Sequence, residues 1–435
     1  MAGRVAPLMD VIRFILLAVY LAAPAVAVGL VIYKSRKRPS RASVVPLVVT
    51  GISGLILGTG LTLAYAKVVE GRVVVGQVLI TSYLAMSAIT LLKGFSFLLE
   101  RGTGWLFGLN RRALTPAGIP HFYRTRFVSA FALRVLVLYA LGLPYVMAVA
   151  MVYRPKAPPR DNPYTLLGFN FEPVSFTATD GVRLDGWWIP ARAPTAREAE
   201  ARLGGDWGRN TVILCHGLGA NKANQLVMAQ DLVPGGYNVL AFDFRAHGAS
   251  GGQLSTFGDL ERRDVLGAVR WVREKRGKES SRIFGVGASM GAAALVAAAA
   301  DPGSEGQAIE AVAVYGTYDD LGSLVRSMCE NYFVPPMGWM AVHLGLPIAD
   351  AHVGRRLEQF SPAREVKDLW PRPIFVIHGK GDRTIDFRHG QALLDSALQP
   401  KYFYWVKDGD HNAIVADPVV SKAALLFFDT ARSII

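Results

Sequence analysis

The chain has 435 residues, 51% of them hydrophobic, with 47 Lys+Arg against 34 Asp+Glu and a formal net charge of +13. A basic excess of this size raises the question of nucleic acid, but residues 1–153 hold 16 basic and 3 acidic residues while residues 154–435 hold 31 of each, so the charge sits wholly in the apolar N-terminal part and nucleic-acid binding is unsupported. Two cysteines cannot build a disulfide framework, and they leave the redox compartment open.

Four runs in the N-terminal part approach the roughly 20 apolar residues that a membrane-spanning helix needs. They extend over Phe14 to Tyr33, Val44 to Ala66, Val73 to Leu92 and Val135 to Tyr153, and predict a membrane domain over residues 1–153. Gly51, Ser53, Gly54, Gly58 and Gly60 suit close helix packing in the second run, and Pro144 is tolerable in the fourth. Ala25-Val26-Ala27 resembles a signal-peptide cleavage site, but the run continues past it into a basic cluster, the pattern of a retained span. Lys34, Arg36, Lys37, Arg38 and Arg41 load the first loop, and Arg101, Arg111, Arg112, Arg124 and Arg126 the third. Positive loops stay in the cytoplasm, so the expectation is a multi-pass protein of the cell membrane with its C-terminal domain outside the cytoplasm.

Residues 154–170, proline-rich at their start, read as a linker. From there short Val/Ile-rich strands alternate with helices: Val212 to Cys215, Asn238 to Phe244, the helix Leu260 to Arg276, Ile283 to Val286, Ala311 to Tyr315, Pro373 to Gly379 and Tyr402 to Val406. That alternation predicts an α/β fold, a mostly parallel sheet covered by helices on both faces. A polar stretch from Ala193 to Asn210 reads as a surface insertion. About 280 residues suffice for one such domain.

The most informative stretch is Gly287-Ala288-Ser289-Met290-Gly291, between the strand Ile283 to Val286 and the small-residue helix that opens at Ala292. A serine on so sharp a strand-to-helix turn takes a strained backbone, and glycine two residues to either side lets strand and helix pass closely. The turn also sets the hydroxyl at a helix N-terminus, where backbone N–H groups favour developing negative charge. Downstream, Asp382 follows a strand ending at Gly379, and His411 follows a strand ending at Val406. Serine becomes a nucleophile only when an imidazole takes its proton, and the imidazole needs a carboxylate to fix its tautomer.

Residues 171–435 resemble an α/β-hydrolase of the serine-hydrolase superfamily, near the membrane-anchored esterase and acyl-thioesterase-like branch and akin to the serine aminopeptidase and dienelactone hydrolase groups. The stretches that carry the resemblance are Thr179 to Trp188, the His216-Gly217 turn, Asp243-Phe244-Arg245-Ala246-His247-Gly248, the Ser289 elbow, His378-Gly379 with Asp382, and His411. Many relatives have glycine where Ala246 stands. The resemblance implies Ser289, Asp382 and His411 as catalytic residues, with Asp382 preferred to Asp386 on spacing. It also implies an oxyanion site made by the backbone N–H groups of Met290 and Leu218. The superfold serves many chemistries, so it says little about substrate.

His216, His247 and His378 each precede a glycine at a strand end and read as turn or supporting residues, and Asp410 as a turn residue. His121, His343, His352 and His389 show no partner pattern. No cluster has metal-ligand spacing, so neither metal nor cofactor is expected. Residues 318–370 read as a cap insertion, and its Met328, Phe333, Val334, Met337, Trp339 and Met340 suit an adaptable acyl pocket. The expected activity is hydrolysis of an ester or thioester of a small-molecule or lipid acyl substrate through an acyl-enzyme, fading on acidification as His411 protonates. A serine aminopeptidase-like peptidase and a non-catalytic membrane binding module are the rivals; an acidic pocket for an N-terminal amine would favour the former. Protein partners are not readable from the sequence.

Overall fold

The computed structural model describes residues 143–153, 156–193, 195, 208–332, 335–412, 414 and 417–434, besides the isolated positions 26 and 52. The chain divides into two compact units, Met1–Leu138 and Tyr139–Ile435. Apart from positions 26 and 52, the first three apolar runs, and the fourth up to residue 142, lie outside the described residues. Among the described residues no helix is long and apolar enough to cross a membrane.

The second unit is built on one eight-stranded sheet in the order β1-β2-β4-β3-β5-β6-β7-β8. Its strands are β1 (Glu172–Thr177), β2 (Arg183–Ile189), β3 (Asn210–Cys215), β4 (Tyr237–Asp243), β5 (Arg282–Ala288), β6 (Ile309–Tyr315), β7 (Ile374–Gly379) and β8 (Lys401–Val406). From β4 to β8 every pairing is parallel, whereas β1 and β2 form an antiparallel hairpin added at one edge. Strands β3, β4 and β7 are buried along their whole length, as parallel strands with covered faces must be. Edge strand β1 alternates instead, with Val174 and Phe176 turned inward.

Helices cover both faces. On one side α3 (Arg262–Arg276), α4 (Met290–Ala299) and α8 (Phe387–Ser396) close a core around Leu184, Ile213, Phe242, Val269 and Leu295. On the other, α2 (Leu226–Leu232) and α9 (Pro418–Ile434) pack Leu232 and Phe428 against Leu214, Val239 and Phe284. The first helix described, α1 (Leu143–Val152), belongs to this unit and packs against α7 (Leu346–Val353) and the π-helical turn Ala341–Gly345. With α5 (Leu321–Tyr332) and α6 (Pro335–Met340), α7 forms a helical excursion between β6 and β7, within the expected cap. The end of the fourth apolar run thus folds with the sheet and its cap, ahead of the domain start at residue 171 that sequence patterning indicates.

Candidate active site

Ser289 joins β5 to α4 with φ 51° and ψ −119°. Among the described residues only Ala246 and Phe257 share a positive φ without being glycine, a conformation that crowds Cβ against the following carbonyl. The surroundings hold it there. The Ser289 N–H donates to the Tyr315 carbonyl at 2.9 Å, and the Ser289 carbonyl accepts from the N–H groups of Ala292 and Ala293 at 3.1 Å. The glycines are needed for contact: a Cβ at Gly291 would lie 2.4 Å from the carbonyl oxygens of Cys215 and His216, and one at Gly287 2.6 Å from the Cα of Ala292. Gly217 faces the Ser289 side chain, since a Cβ there would stand 3.4 Å from the Cβ of Ser289.

Asp382 and His411 are brought together from the ends of β7 and β8. His411 Nδ1 donates to Asp382 Oδ2 at 2.7 Å, which leaves Nε2 as the ring's acceptor. The other carboxylate oxygen accepts from the backbone N–H groups of Thr384 (2.9 Å) and Ile385 (2.8 Å). Burial alone would push the Asp382 carboxyl up, but hydrogen bonds from His378, His411 and Ile385 outweigh it and hold the group well below the usual carboxylate range. Asp386, the other sequence candidate, caps α8 and pairs with Arg388. Asp410 accepts from the His411 N–H at 2.7 Å as a loop residue. A Cβ at Gly316 would lie 3.3 Å from His411 Cε1, so the turn after β6 packs against the imidazole.

Leu218 and Met290 line the same cavity as Ser289 and His411. Met290 opens α4, where an N–H has no intrahelical acceptor. The Leu218 loop is shaped by two buried histidines. His216 donates from Nδ1 to the Gly217 carbonyl (2.8 Å) and accepts at Nε2 from the Phe244 N–H (3.0 Å). His247 donates from Nδ1 to the Arg245 carbonyl (2.8 Å) and accepts at Nε2 from the Gly219 N–H (3.1 Å). Both hold backbone, the supporting role expected from their positions. Burial and the neighbouring His247 push His216 down to about 4, against the opposing pull of the Gly217 carbonyl.

The cavity measures about 810 Å³, within the range of roughly 300–1,000 Å³ usual for small-molecule sites. Its cap wall includes Leu324, Val325 and Met328, and its polar lining Asn224, Gln225, Thr384 and Asn412. None of the described lining residues is Asp, Glu, Lys or Arg. Among the described residues no group of three or more His, Cys, Asp or Glu side chains is placed to hold a metal ion.

Several contributors escape sequence patterning. Helix α1, read as part of a membrane span, supplies Met147 and Met151 to the cavity. Glu261 staples the loop that carries Phe257, another lining residue. His389, for which the sequence shows no partner pattern, finds one in the fold: it donates from Nδ1 to Asp319 at 2.5 Å and meets the Ser327 hydroxyl at 3.2 Å, tying α5 of the cap to α8. Seventy positions separate His389 from Asp319, so no local spacing could reveal the pair. His352 likewise packs between the rings of Tyr145 and Tyr153, and His343 stacks on Trp339. His121 lies outside the described residues.

Residues 212–423 match the Alpha/beta hydrolase family. The chain is similar to the uncharacterized protein YfhR of Escherichia coli O157:H7, 29% identical over 259 residues that cover 60% of this chain and 80% of that one. It is also similar to the uncharacterized protein YqkD of Bacillus subtilis, 30% identical over 208 residues covering 46% and 65%. Among solved structures, the Pyrococcus furiosus esterase Pf2001 is 25% identical with a TM-score of 0.50, covering 64% of this chain and 99% of the esterase. With the sheet order and the elbow already described, these likenesses make the chain a member of the α/β-hydrolase superfamily.

Proposed function

We propose that the protein is a serine hydrolase that cleaves a carboxylic ester or thioester, with Ser289 as nucleophile, His411 as general base and acid, and Asp382 as the group that orients His411. The observation that carries this reading is the Asp382–His411 hydrogen bond of 2.7 Å beside a cavity that holds both His411 and the strained Ser289. Likeness to an esterase supports the bond type.

In this mechanism Ser289 Oγ attacks the acyl carbonyl and passes its proton to His411 Nε2. The N–H groups of Met290 and Leu218 hold the tetrahedral oxyanion. The bond from the acyl carbon to the alcohol oxygen or thiol sulfur breaks, and His411 returns the proton to that leaving group. Water then attacks the acyl-enzyme, His411 takes its proton, and collapse of the second tetrahedral species releases the acid and reprotonates Ser289. Asp382 stays ionised and stabilises the imidazolium formed midway. Aliphatic lining and the lack of a carboxylate among the described lining residues weigh toward an acyl substrate and away from capture of an N-terminal amine.

The apolar lining fits a lipid or other acylated substrate held near a bilayer, with the apolar runs within residues 1–138 as a multi-pass membrane region and α1, packed on the cap, as part of the catalytic unit. The first three apolar runs support that membrane region, and a reporter fused after Ile435 that works only in the cytoplasm reads on which side the catalytic unit lies. For the chemistry, the test is labelling of the detergent-solubilised protein by a fluorophosphonate, wild type beside Ser289→Ala. Labelling that disappears in the variant is expected. A folded wild-type protein that takes no label would return the weight to a binding module.

A further inference from the structure

We infer that α1 is the specificity wall of the cavity, and that Met147 and Met151 set the length of the unbranched, uncharged acyl chain that the site accepts. The inference rests on the acyl-ester reading of the cavity and adds to it a named determinant of the substrate class.

Helix α1 lies outside the sheet and ahead of the family match at residues 212–423, yet it supplies Met147, Ala148, Ala150 and Met151 to the lining. Two adjacent stripes explain how one helix does both jobs. Ala148 and Val152, four residues apart and therefore on one face, are buried in a cluster with Phe257, Ala293 and Tyr318. Met147 and Met151, shifted by one residue, form the neighbouring stripe on the cavity. A ligand there would touch α1 on one side and the cap on another, where Leu324 and Met328 stand.

The wall is also fixed in place. The Val152 carbonyl accepts from the Ser255 N–H at 2.9 Å, which ties the end of α1 to the loop that presents Phe257. Just beyond, Lys156 Nζ donates to the Ser250 carbonyl (2.6 Å) and Asn221 Nδ2 to the Ala157 carbonyl (3.1 Å). At the other end a Cβ on Gly345 would stand 3.4 Å from the Pro144 carbonyl, so helix and cap meet closely. Methionine is suited to this position, since an unbranched, polarizable side chain adapts to a flexible alkyl chain. With no Asp, Glu, Lys or Arg among the described lining residues, a charged acyl group would be buried unpaired.

The test is the chain-length profile of the detergent-solubilised full chain on p-nitrophenyl esters from acetate to dodecanoate, wild type beside Met147→Trp, Met147→Ala and Ser289→Ala. In the wild type kcat/KM should climb by about fourfold per methylene seated, the equivalent of about 0.8 kcal/mol. Met147→Trp fills the space that two or more methylenes would occupy, so the ratio of dodecanoate to acetate should fall by more than about tenfold. Met147→Ala only adds room and should move the preferred length upward, which decides the matter should the tryptophan variant fail to fold. Ratios unmoved in the folded variants would overturn the inference and leave the hydrolase reading intact. A wild type with no Ser289-dependent hydrolysis of any ester would fail that reading, and the inference with it.

Discussion

His378 Nε2 stands 3.5 Å from the same Asp382 oxygen that receives His411 at 2.7 Å, while it makes its shorter bond, 2.9 Å, to the Ile385 carbonyl. Asp382 is therefore held from four directions, by two imidazoles and by the N–H groups of Thr384 and Ile385. An aspartate fixed this way can orient a base without itself taking a proton. Asp382→Asn should keep the fold but lower kcat by about 10³–10⁴-fold, because an amide stabilises the wrong imidazole tautomer. Asp386→Asn should change kcat by less than about twofold, as Asn caps a helix as well as Asp. Steady-state kinetics on one ester decide between them, and equal losses would return Asp386 to contention.

His216 should withdraw stability on mild acidification. Its folded-state value, about 4, lies below the ordinary 6.5, so between these two values the unfolded chain binds a proton that the folded one refuses. The stability this group contributes is full above about pH 6.5 and drains as pH falls toward 4, with a slope approaching about 1.4 kcal/mol per pH unit. Asp382 works in a lower window: its depressed carboxyl adds stability above the ordinary 3.8, lost only as pH falls below that value. The buried Asp264 carboxyl, raised to about 7 by burial, acts in the opposite sense over the same window, so the test is the change in urea midpoint between pH 7 and pH 4.5 in the wild type minus the same change in a folded His216→Gln variant. A pH response of the midpoint left unmoved by that substitution would refute the account.

Glu261 should prove more costly to remove than an ordinary acidic residue. It is fully buried, and its carboxylate accepts from Ser255 Oγ (2.9 Å), the Thr256 N–H (2.8 Å), Thr256 Oγ1 (2.7 Å) and the Gly258 N–H (2.8 Å). These bonds hold Phe257 in its left-handed conformation at the cavity wall. Glu261→Ala strands four donors and should cost about 3 kcal/mol in urea denaturation, with KM raised as Phe257 moves. A loss below about 1 kcal/mol would mean that water replaces the staple.

Local signals were legible where the chemistry is local. The elbow at Ser289 requires glycine at 287 and 291 for contacts made within a few residues, and the strands from β3 to β8 are short apolar runs bounded by turns. The supporting roles of His216 and His247 could be read from the glycines that follow them. The β1–β2 hairpin carries a weaker strand signal, because Gly186 and the paired tryptophans interrupt an alternating pattern.

What the amino-acid sequence determined by itself was therefore the α/β class, the chain order of its functional residues and the identity of Ser289, Asp382 and His411 as candidates, since periodicity and turn chemistry act over neighbours in the chain. Spacing favours Asp382 over Asp386, but both follow the same strand and only packing shows which carboxylate meets His411. The tertiary structure alone paired His389 with Asp319 and brought Met147 and Met151 to the cavity that holds Ser289. An apolar helix carries one hydropathy pattern whether its partner is lipid or a protein cavity, so the role of α1 emerges only once the chain has folded back upon its cap.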